Sequence, residues 1–110
     1  MKAKLLRIYF GESDRFEGRS AYHAVVEYLR RSGVSGATVF RGIEGYGVRS
    51  ILHTASILRL SEDLPIVVEV VETEDRLNPI LPELLEIVKD ELVILMDVEV
   101  LMGHKFKKTV

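Results

Sequence analysis

Two runs of neighbouring apolar residues limit the folds that this chain can adopt. The first lies within residues 66–71, which contain four valines, and the second covers residues 93–96. A strand with one face in water alternates apolar and polar residues, whereas neighbouring apolar residues indicate a strand that is covered on both faces. We therefore expect two sheet strands that have protein against both of their faces.

The other hydrophobic patterns predict the element order β-α-β-β-α-β. Helical spacing marks the buried face of a first helix, formed by Ala21, Ala24, Val25, Tyr28 and Leu29. Strands are predicted over residues 5–10 and 38–43, and the polar residues 11–18 predict a loop. Pro65 opens the third strand and residues 92–101 form the last. This order indicates an α+β, ferredoxin-like fold, a four-stranded antiparallel sheet with two helices on one face.

The second helix is predicted to be irregular. Thr73 suits its N-cap position. Its apolar face is formed by Leu77, Leu81, Leu84 and Val88. Pro79 and Pro82 lie within this span, so we expect a kink or an irregular first turn, followed by a cleaner helix to about Asp90.

The helices can cover only one face of the sheet, although two of its strands are apolar on both. A bare apolar face of that size exceeds what monomers normally expose. We therefore expect an oligomer, most simply a closed ring in which the sheets face inward.

Spaced glycines lie at the end of the predicted second strand and just after it. Gly42, Gly45 and Gly47 open a long connection, over residues 44–64, that runs up to Pro65. Glycine allows backbone conformations and close approaches that are closed to other residues. A long loop on a rigid sheet is a common carrier of function.

The strand directions bring three connections to one end of the sheet, namely residues 11–20, residues 44–64 and the turn near residues 89–92. That end gathers Arg15, Arg19, Arg49, Arg59 and His53, with Glu12, Asp14 and Glu44. Arginine side chains and glycine N–H groups bind phosphate and carboxylate groups. A small anionic ligand is one interpretation. Solvation of these arginines, or pairing with their acidic neighbours, is the other.

The composition narrows the classes of function. A chain of 110 residues predicts one domain, and the lack of Cys removes disulfide and thiolate chemistry. The net charge of −2 gives no general attraction to nucleic acid. No apolar segment reaches the ~18 residues that span a bilayer, and the first residues lack a signal-peptide pattern. We expect a cytoplasmic protein without direct membrane insertion.

Several phrases of the sequence resemble an uncharacterised family of small PII-like proteins of bacteria and archaea. They are Gly11-Glu12-Ser13-Asp14, Gly36-Ala37-Thr38-Val39 with Arg41-Gly42, Gly45-Tyr46-Gly47 and Asp63-Leu64-Pro65. The resemblance covers nearly the whole chain, and residues 36–47 are also similar to the PII signalling proteins themselves. It implies a single PII-like domain over residues 1–110 that forms a homotrimer with nucleotide clefts between subunits. It also implies a regulatory protein, not an enzyme, that binds an adenine nucleotide and controls a partner.

The resemblance further implies a set of binding residues. Gly36, Ala37 and Thr38 match the part of PII proteins that contributes to the adenine pocket. Gly45, Tyr46 and Gly47 match the base of the PII T-loop near the phosphates, and residues 48–64 would be the T-loop. We assign Arg49 to phosphate as well, with Arg41, Arg15 and His53 as neighbours of the site.

One departure from the PII pattern bears on the ligand. PII proteins carry a Gly-Asp-Gly-Lys turn where this chain reads Val88-Lys89-Asp90-Glu91-Leu92. Asp90 and Glu91 would repel a triphosphate there. We therefore expect an AMP-like nucleotide or ADP before ATP, and no obligatory cofactor.

Other functions on the same fold stay open, among them a trimeric metal-tolerance-like protein and a small hydrolase. His23, His53 and His104 share no metal-ligand spacing, so we expect no metal site within one subunit. His23 is expected to pair with Glu27 one helical turn away. No nucleophile–base pattern indicates catalytic residues. The partner protein is not readable from the sequence, and the resemblance points to membrane transporters, fluoride exporters among them.

Overall fold

The computed structural model describes residues 1–47, 64–103 and 106 of the chain. In chain order its elements are β1 (Lys2–Gly11), β2 (Arg15–Phe16), β3 (Arg19–Ser20), α1 (Ala21–Arg31), β4 (Thr38–Arg41), β5 (Pro65–Glu72), α2 (Glu74–Leu77), a 3-10 turn (Asn78–Ile80), α3 (Leu81–Ile87) and β6 (Leu92–Glu99). Nearly all of the segment matched to the T-loop, residues 48–63, and the tail beyond Gly103, except Phe106, lie outside the described residues.

The main sheet has four antiparallel strands in the spatial order β4-β5-β1-β6. β1 lies inside the sheet, where Leu6 faces Val70 of β5 on one side and Leu95 of β6 on the other. This is the ferredoxin-like order, so the predicted α+β fold is confirmed. β1 and β4 end, and β5 and β6 begin, at the same end of the sheet.

The core lies between one face of this sheet and the helices. The five residues expected on the buried face of α1 are all buried, and Tyr28 is the most exposed of them at 8%. The sheet contributes alternate residues to the same core, namely Leu6, Ile8, Phe10, Ile66, Val68 and Val70. Alternation along a strand places these side chains on a single face.

The second helical segment is broken, as the two prolines predict. Pro79 lies in the 3-10 turn and Pro82 in the first turn of α3, where a missing N–H is tolerated. The hydroxyl of Tyr28 donates to the carbonyl of Ile80 (3.1 Å), which ties the turn to α1. One detail of the prediction was wrong, because α3 ends at Ile87, before Asp90. Thr73 occupies the predicted N-cap position, without a side-chain capping bond.

Residues 11–18 are not wholly a loop, because β2 and β3 form a small hairpin there. Glu17 and Gly18 connect its strands with φ angles of 50° and 79°. Two successive positive φ angles match the twist of a tight hairpin turn, and glycine adopts one of them without strain. The pair Glu17-Gly18 was the sequence signal for this hairpin.

Two strands are shorter than predicted, because their neighbours set their ends. β4 stops at Arg41, short of residue 43, since β5 begins at Pro65 and proline has no N–H to continue the ladder. β6 stops at Glu99, short of residue 101. The N–H of Val100 donates to the carbonyl of Met1 (2.8 Å), where β1 has no further residue to offer.

The face of the sheet turned away from the helices, here called the open face, is largely apolar. By strand alternation it carries Leu5, Tyr9, Phe40, Val67, Val71, Leu92, Ile94, Met96 and Val98. These side chains are half-buried or exposed in the single chain, and Leu92 is 60% exposed. The helices thus cover one face of the sheet, as expected. Among the described residues, no helix has the length and apolar character needed to cross a bilayer.

Candidate functional site

The end of the sheet where β1 and β4 finish carries the base of the long connection; we call it the loop end. Backbone hydrogen bonds close this base on both sides. The N–H of Gly42 donates to the carbonyl of Pro65 (2.7 Å), and the N–H of Glu12 donates to the carbonyl of Leu64 (3.0 Å). The segments around residues 11–12, 42 and 64–65 therefore form one bonded unit.

Two of the spaced glycines pack directly on Pro65. A Cβ placed on Gly42 would lie 2.6 Å from the Cγ of Pro65, and one placed on Gly45 would lie 2.9 Å from the same atom. Both distances are too short for carbon atoms in contact, so any side chain at either position forces the two segments apart. The absence of a side chain is therefore needed here for the close approach of two chain segments.

Glu12 organises the charges at the loop end. Its Oε1 accepts a hydrogen bond from Nη2 of Arg41 (2.8 Å) and a longer one from the N–H of Leu64 (3.4 Å). A carboxylate beside a guanidinium cancels much of the field that a phosphate would feel. Arg41, one of the predicted site residues, is therefore paired with an acidic neighbour. Glu12 itself was outside the predicted site.

The other two described arginines of this end also have polar partners. Arg15 donates from Nη1 to Oγ of Ser20 across the hairpin (3.2 Å), and Arg19 contacts Glu27 of α1 (2.6 Å from Nη2 to Oε2). The hydrogen bond from Arg19 is the main cause that lowers the pKa of the Glu27 carboxyl below its ordinary value. His23 lies 3.8 Å from Glu27, which confirms that expected contact.

The structure separates the predicted site residues into two groups. Gly36 and Ala37 lie just before β4 and Thr38 begins it. All three are exposed, and Thr38 pairs with Glu69 of β5. Arg41 lies three residues further along the strand, about 10 Å away. Gly45, Tyr46 and Gly47 are exposed beyond it, Tyr46 at 83%. Arg49 and His53 lie outside the described residues.

The open face has a shallow hollow of about 250 Å³ next to Thr38. It is lined by Arg7, Tyr9, Phe40, Val67 and Glu69. Nε of Arg7 donates to Oε2 of Glu69 (2.7 Å), so an ion pair sits in the middle of an otherwise apolar surface. Sequence reasoning missed this pair. The signal for it was Glu69, the one charged residue within the valine-rich run of residues 66–71.

A larger concavity, of about 790 Å³, lies at the opposite end of the sheet. It is lined by Ser35, Val71, Val100, Leu101, Met102, Gly103 and Phe106. Its walls are mostly apolar, and none of its described lining residues belongs to the loop end. Within the described residues, no three His, Cys, Asp or Glu side chains come together as a metal site would require.

Comparison with known proteins identifies the family. The model of DUF190, a family described as Uncharacterized ACR, matches residues 3–100. The chain belongs to the DUF190 family. It is 44% identical over 108 residues to a UPF0166 protein of Methanocaldococcus jannaschii, covering 97% of this chain and 99% of that protein. A UPF0166 protein of Aquifex aeolicus is 38% identical over 101 residues, covering 92% of this chain and 95% of that one.

Solved structures agree with this DUF190 chain in fold. CPII of Thiomonas intermedia, a nitrogen regulatory PII-like protein, superposes with a TM-score of 0.65 at 18% identity, covering 94% of this chain and 98% of CPII. A protein of Thermus thermophilus described as PII-like and signalling gives a TM-score of 0.55 at 22% identity, covering 89% and 86%. The predicted membership of an uncharacterised family found in bacteria and archaea is thus confirmed, and the fold is PII-like.

Proposed function

We propose that this DUF190 protein is a PII-like regulator that binds an adenine nucleotide and signals its presence to a partner protein. The observation that carries the proposal is the likeness of nearly the whole chain to CPII, which is described as bound to ADP, AMP and bicarbonate. The loop end supports it, because a bonded base at Gly42, Glu12 and Pro65 holds the start of a long connection against a rigid sheet.

We propose further that the protein is a homotrimer with the open faces inward. The apolar side chains of the open face support this assembly, since water contact with so many of them is unfavourable. The nucleotide would then lie between subunits, near the edge strand β4. In this arrangement Thr38 contacts the base, the backbone of residues 45–47 and Arg49 contact phosphate, and Arg41, Arg15 and His53 lie nearby.

The turn before β6 supports a nucleotide with few phosphates. Asp90 is exposed there, and the N–H of Glu91 donates to the carbonyl of Val88 (2.8 Å). Leu92 pairs with Tyr9, so this acidic turn lies at the loop end. Two carboxylates and no glycine disfavour a triphosphate. AMP or ADP is therefore the proposed effector, ahead of ATP.

The proposed role is regulatory and not enzymatic, with a location in the cytoplasm. The ligand acts by changing the conformation of the long connection, and the partner protein recognises that change. A membrane transporter is the proposed class of partner.

The direct test is titration of AMP, ADP, ATP and cyclic AMP against the pure protein while its melting temperature is followed. A ligand that binds only the folded state raises the melting temperature as its concentration increases. We expect AMP or ADP to give the largest rise and ATP a smaller one. No rise with any adenine nucleotide, together with no heat of binding in calorimetry, would refute nucleotide binding.

Two variants test the assigned residues by calorimetry. Arg49→Ala should weaken AMP or ADP binding roughly tenfold, the scale of one lost charge-assisted hydrogen bond. Thr38→Val should reduce the preference for adenine over guanine nucleotides. Arg30→Ala, an exposed change in the last turn of α1, is the matched control for the first and should bind as the wild type does. Unchanged affinity in Arg49→Ala removes that residue from the site.

A further inference from the structure

Glu72, at the end of β5, is the one charged side chain that is buried among the described residues. Only 2% of it is exposed, and it lies on the helix-covered face with Val68 and Val70. Burial of a carboxylate is costly unless hydrogen bonds replace its water. A buried carboxylate at this position therefore indicates a structural or functional task that an apolar residue could not perform.

The carboxylate joins two connections of the fold. Its Oε1 accepts hydrogen bonds from the N–H and from the hydroxyl of Ser35, at 3.3 and 3.2 Å. Its Oε2 accepts one from the N–H of Thr73 at 3.0 Å. Ser35 belongs to the connection between α1 and β4, and Thr73 is the N-cap residue of α2. Glu72 thereby links the start of β4 to the helical layer.

Among the described residues, the neighbours of Ser35 have few other contacts. Residues 35–37 are in neither helix nor strand, and a Cβ placed on Gly36 would meet no described atom within 4 Å. The segment is anchored before Ser35 by the buried Val34, and it rejoins the sheet at Thr38, which pairs with Glu69. Between Val34 and Thr38, the hydrogen bonds from Ser35 to Glu72 fix the direction of the chain.

We propose that Glu72 is a positioning residue, which sets the placement of residues 36–38 through Ser35 without touching the ligand. The consequence for binding rests on the proposed function, in which Thr38 contacts the nucleotide base and residues 36–37 lead into it. The placement itself does not depend on any ligand. Glu72 thus holds the start of β4, as Glu12 and Pro65 hold its end.

Glu72→Gln is the informative variant, because it keeps the size of the side chain and replaces one acceptor oxygen with an NH2 group. That group faces an N–H donor of Ser35 or of Thr73, so at least one of the hydrogen bonds is lost. Ser35→Ala removes only the hydroxyl bond at an exposed position, and it serves if Glu72→Gln fails to fold. Glu86→Gln, an exposed change on α3, is the matched control.

The first measurement is ¹⁵N relaxation of the protein without ligand. In Glu72→Gln we expect the heteronuclear NOE of Gly36 and Ala37 to fall relative to the wild type, and amide exchange at Ser35 to quicken about tenfold, the loss expected for one hydrogen bond. A smaller change of the same kind is expected in Ser35→Ala. β1 and the control variant should not change. Unaltered relaxation and exchange at residues 35–37 in both variants would overturn the positioning role.

The second measurement is calorimetry with AMP and ADP. We expect Glu72→Gln to bind several-fold more weakly than Glu86→Gln, at an unchanged oligomeric state. Wild-type affinity in a Glu72→Gln protein that shows altered relaxation would overturn the link to binding. A wild type that binds neither nucleotide contradicts the proposed function instead, and the relaxation data then decide the positioning role alone.

Discussion

The arginines at the loop end differ in what they contact, and this difference affects which of them can receive an anion. Arg41 is held by Glu12, and Arg19 is held by Glu27. A phosphate at Arg41 would have to compete with the Glu12 carboxylate at 2.8 Å. The sequence placed these charges near one another, but the identity of each pair depends on where the side chains point. Arg15, which donates to a neutral serine hydroxyl, has no carboxylate among its described hydrogen-bond partners.

The pairing of Arg19 with Glu27 predicts a measurable titration. In Arg19→Ala the pKa of the Glu27 carboxyl should rise towards its ordinary value, because the hydrogen bond that lowers it is gone. A carboxyl whose pKa is lowered on folding stabilises the fold above its unfolded pKa, and this stabilisation is lost as the pH falls through the folded pKa. The stability advantage of the wild type over Arg19→Ala should therefore be present at neutral pH and disappear on acidification.

The measurement is an NMR titration of the Glu27 side-chain carbon, accompanied by urea unfolding at neutral and at acidic pH. Arg15→Ala is the control, since its guanidinium donates to Ser20 and should leave the Glu27 titration unchanged. An unshifted Glu27 titration in Arg19→Ala would show that the pair does not form in solution.

At the scale of elements, the strand patterns were readable but the strand ends were not. β5 alternates between core and open face along its length, as its apolar sequence allows, and β1 continues the same ladder. The end of β4 depends instead on Pro65, which lies 23 positions after Gly42 in the sequence. The hydrogen bond between these two residues closes the base of the long connection. The local sequence does not show which distant residue will pair with a given position.

The contact between Gly42 and Pro65 predicts a specific cost for a methyl group. Gly42→Ala should destabilise the fold by about 1–3 kcal/mol, because the added Cβ would lie 2.6 Å from Cγ of Pro65. The hydrogen bond from the N–H of Gly42 to the carbonyl of Pro65 must then lengthen. The free energy of unfolding in urea measures this destabilisation. Gly36→Ala is the control, since its added Cβ meets no atom of the described residues within 4 Å, and it should match the wild type within about 1 kcal/mol. Equal stabilities of the two variants would contradict the close approach.

At the scale of the whole molecule, the open face is the surface on which the proposed assembly depends. Its apolar side chains surround the Arg7–Glu69 pair, and the hollow between them is lined by Tyr9, Phe40 and Val67. An ion pair within an apolar contact favours one register of packing over others, because a misplaced charge would be left without its partner. Such a surface suits a defined assembly better than unspecific adhesion.

A lysine in the middle of the open face should break the proposed trimer. Val67→Lys would bury a charge between subunits without a partner, so we expect smaller species in sedimentation velocity and a lower melting temperature. Leu85→Lys is the control, because Leu85 is 47% exposed on α3, on the other side of the molecule. A wild type that sediments as a stable, well-folded single subunit would contradict the assembly and the binding cleft between subunits.

The sequence alone determined the fold class, the apolar character of both sheet faces and the end of the sheet at which the long connection begins. These features follow from the hydrophobic periodicity, the order of the elements and the strand directions. Each is a local property of the sequence or follows from several local properties together. Only the tertiary structure decided the pairs that shape the candidate site. Arg41 and Glu12 are 29 residues apart and Ser35 and Glu72 are 37 apart, so their contacts exist only once β1, β4 and β5 lie side by side. The strands can be predicted from the sequence, whereas the side-chain pairs that these strands bring together cannot.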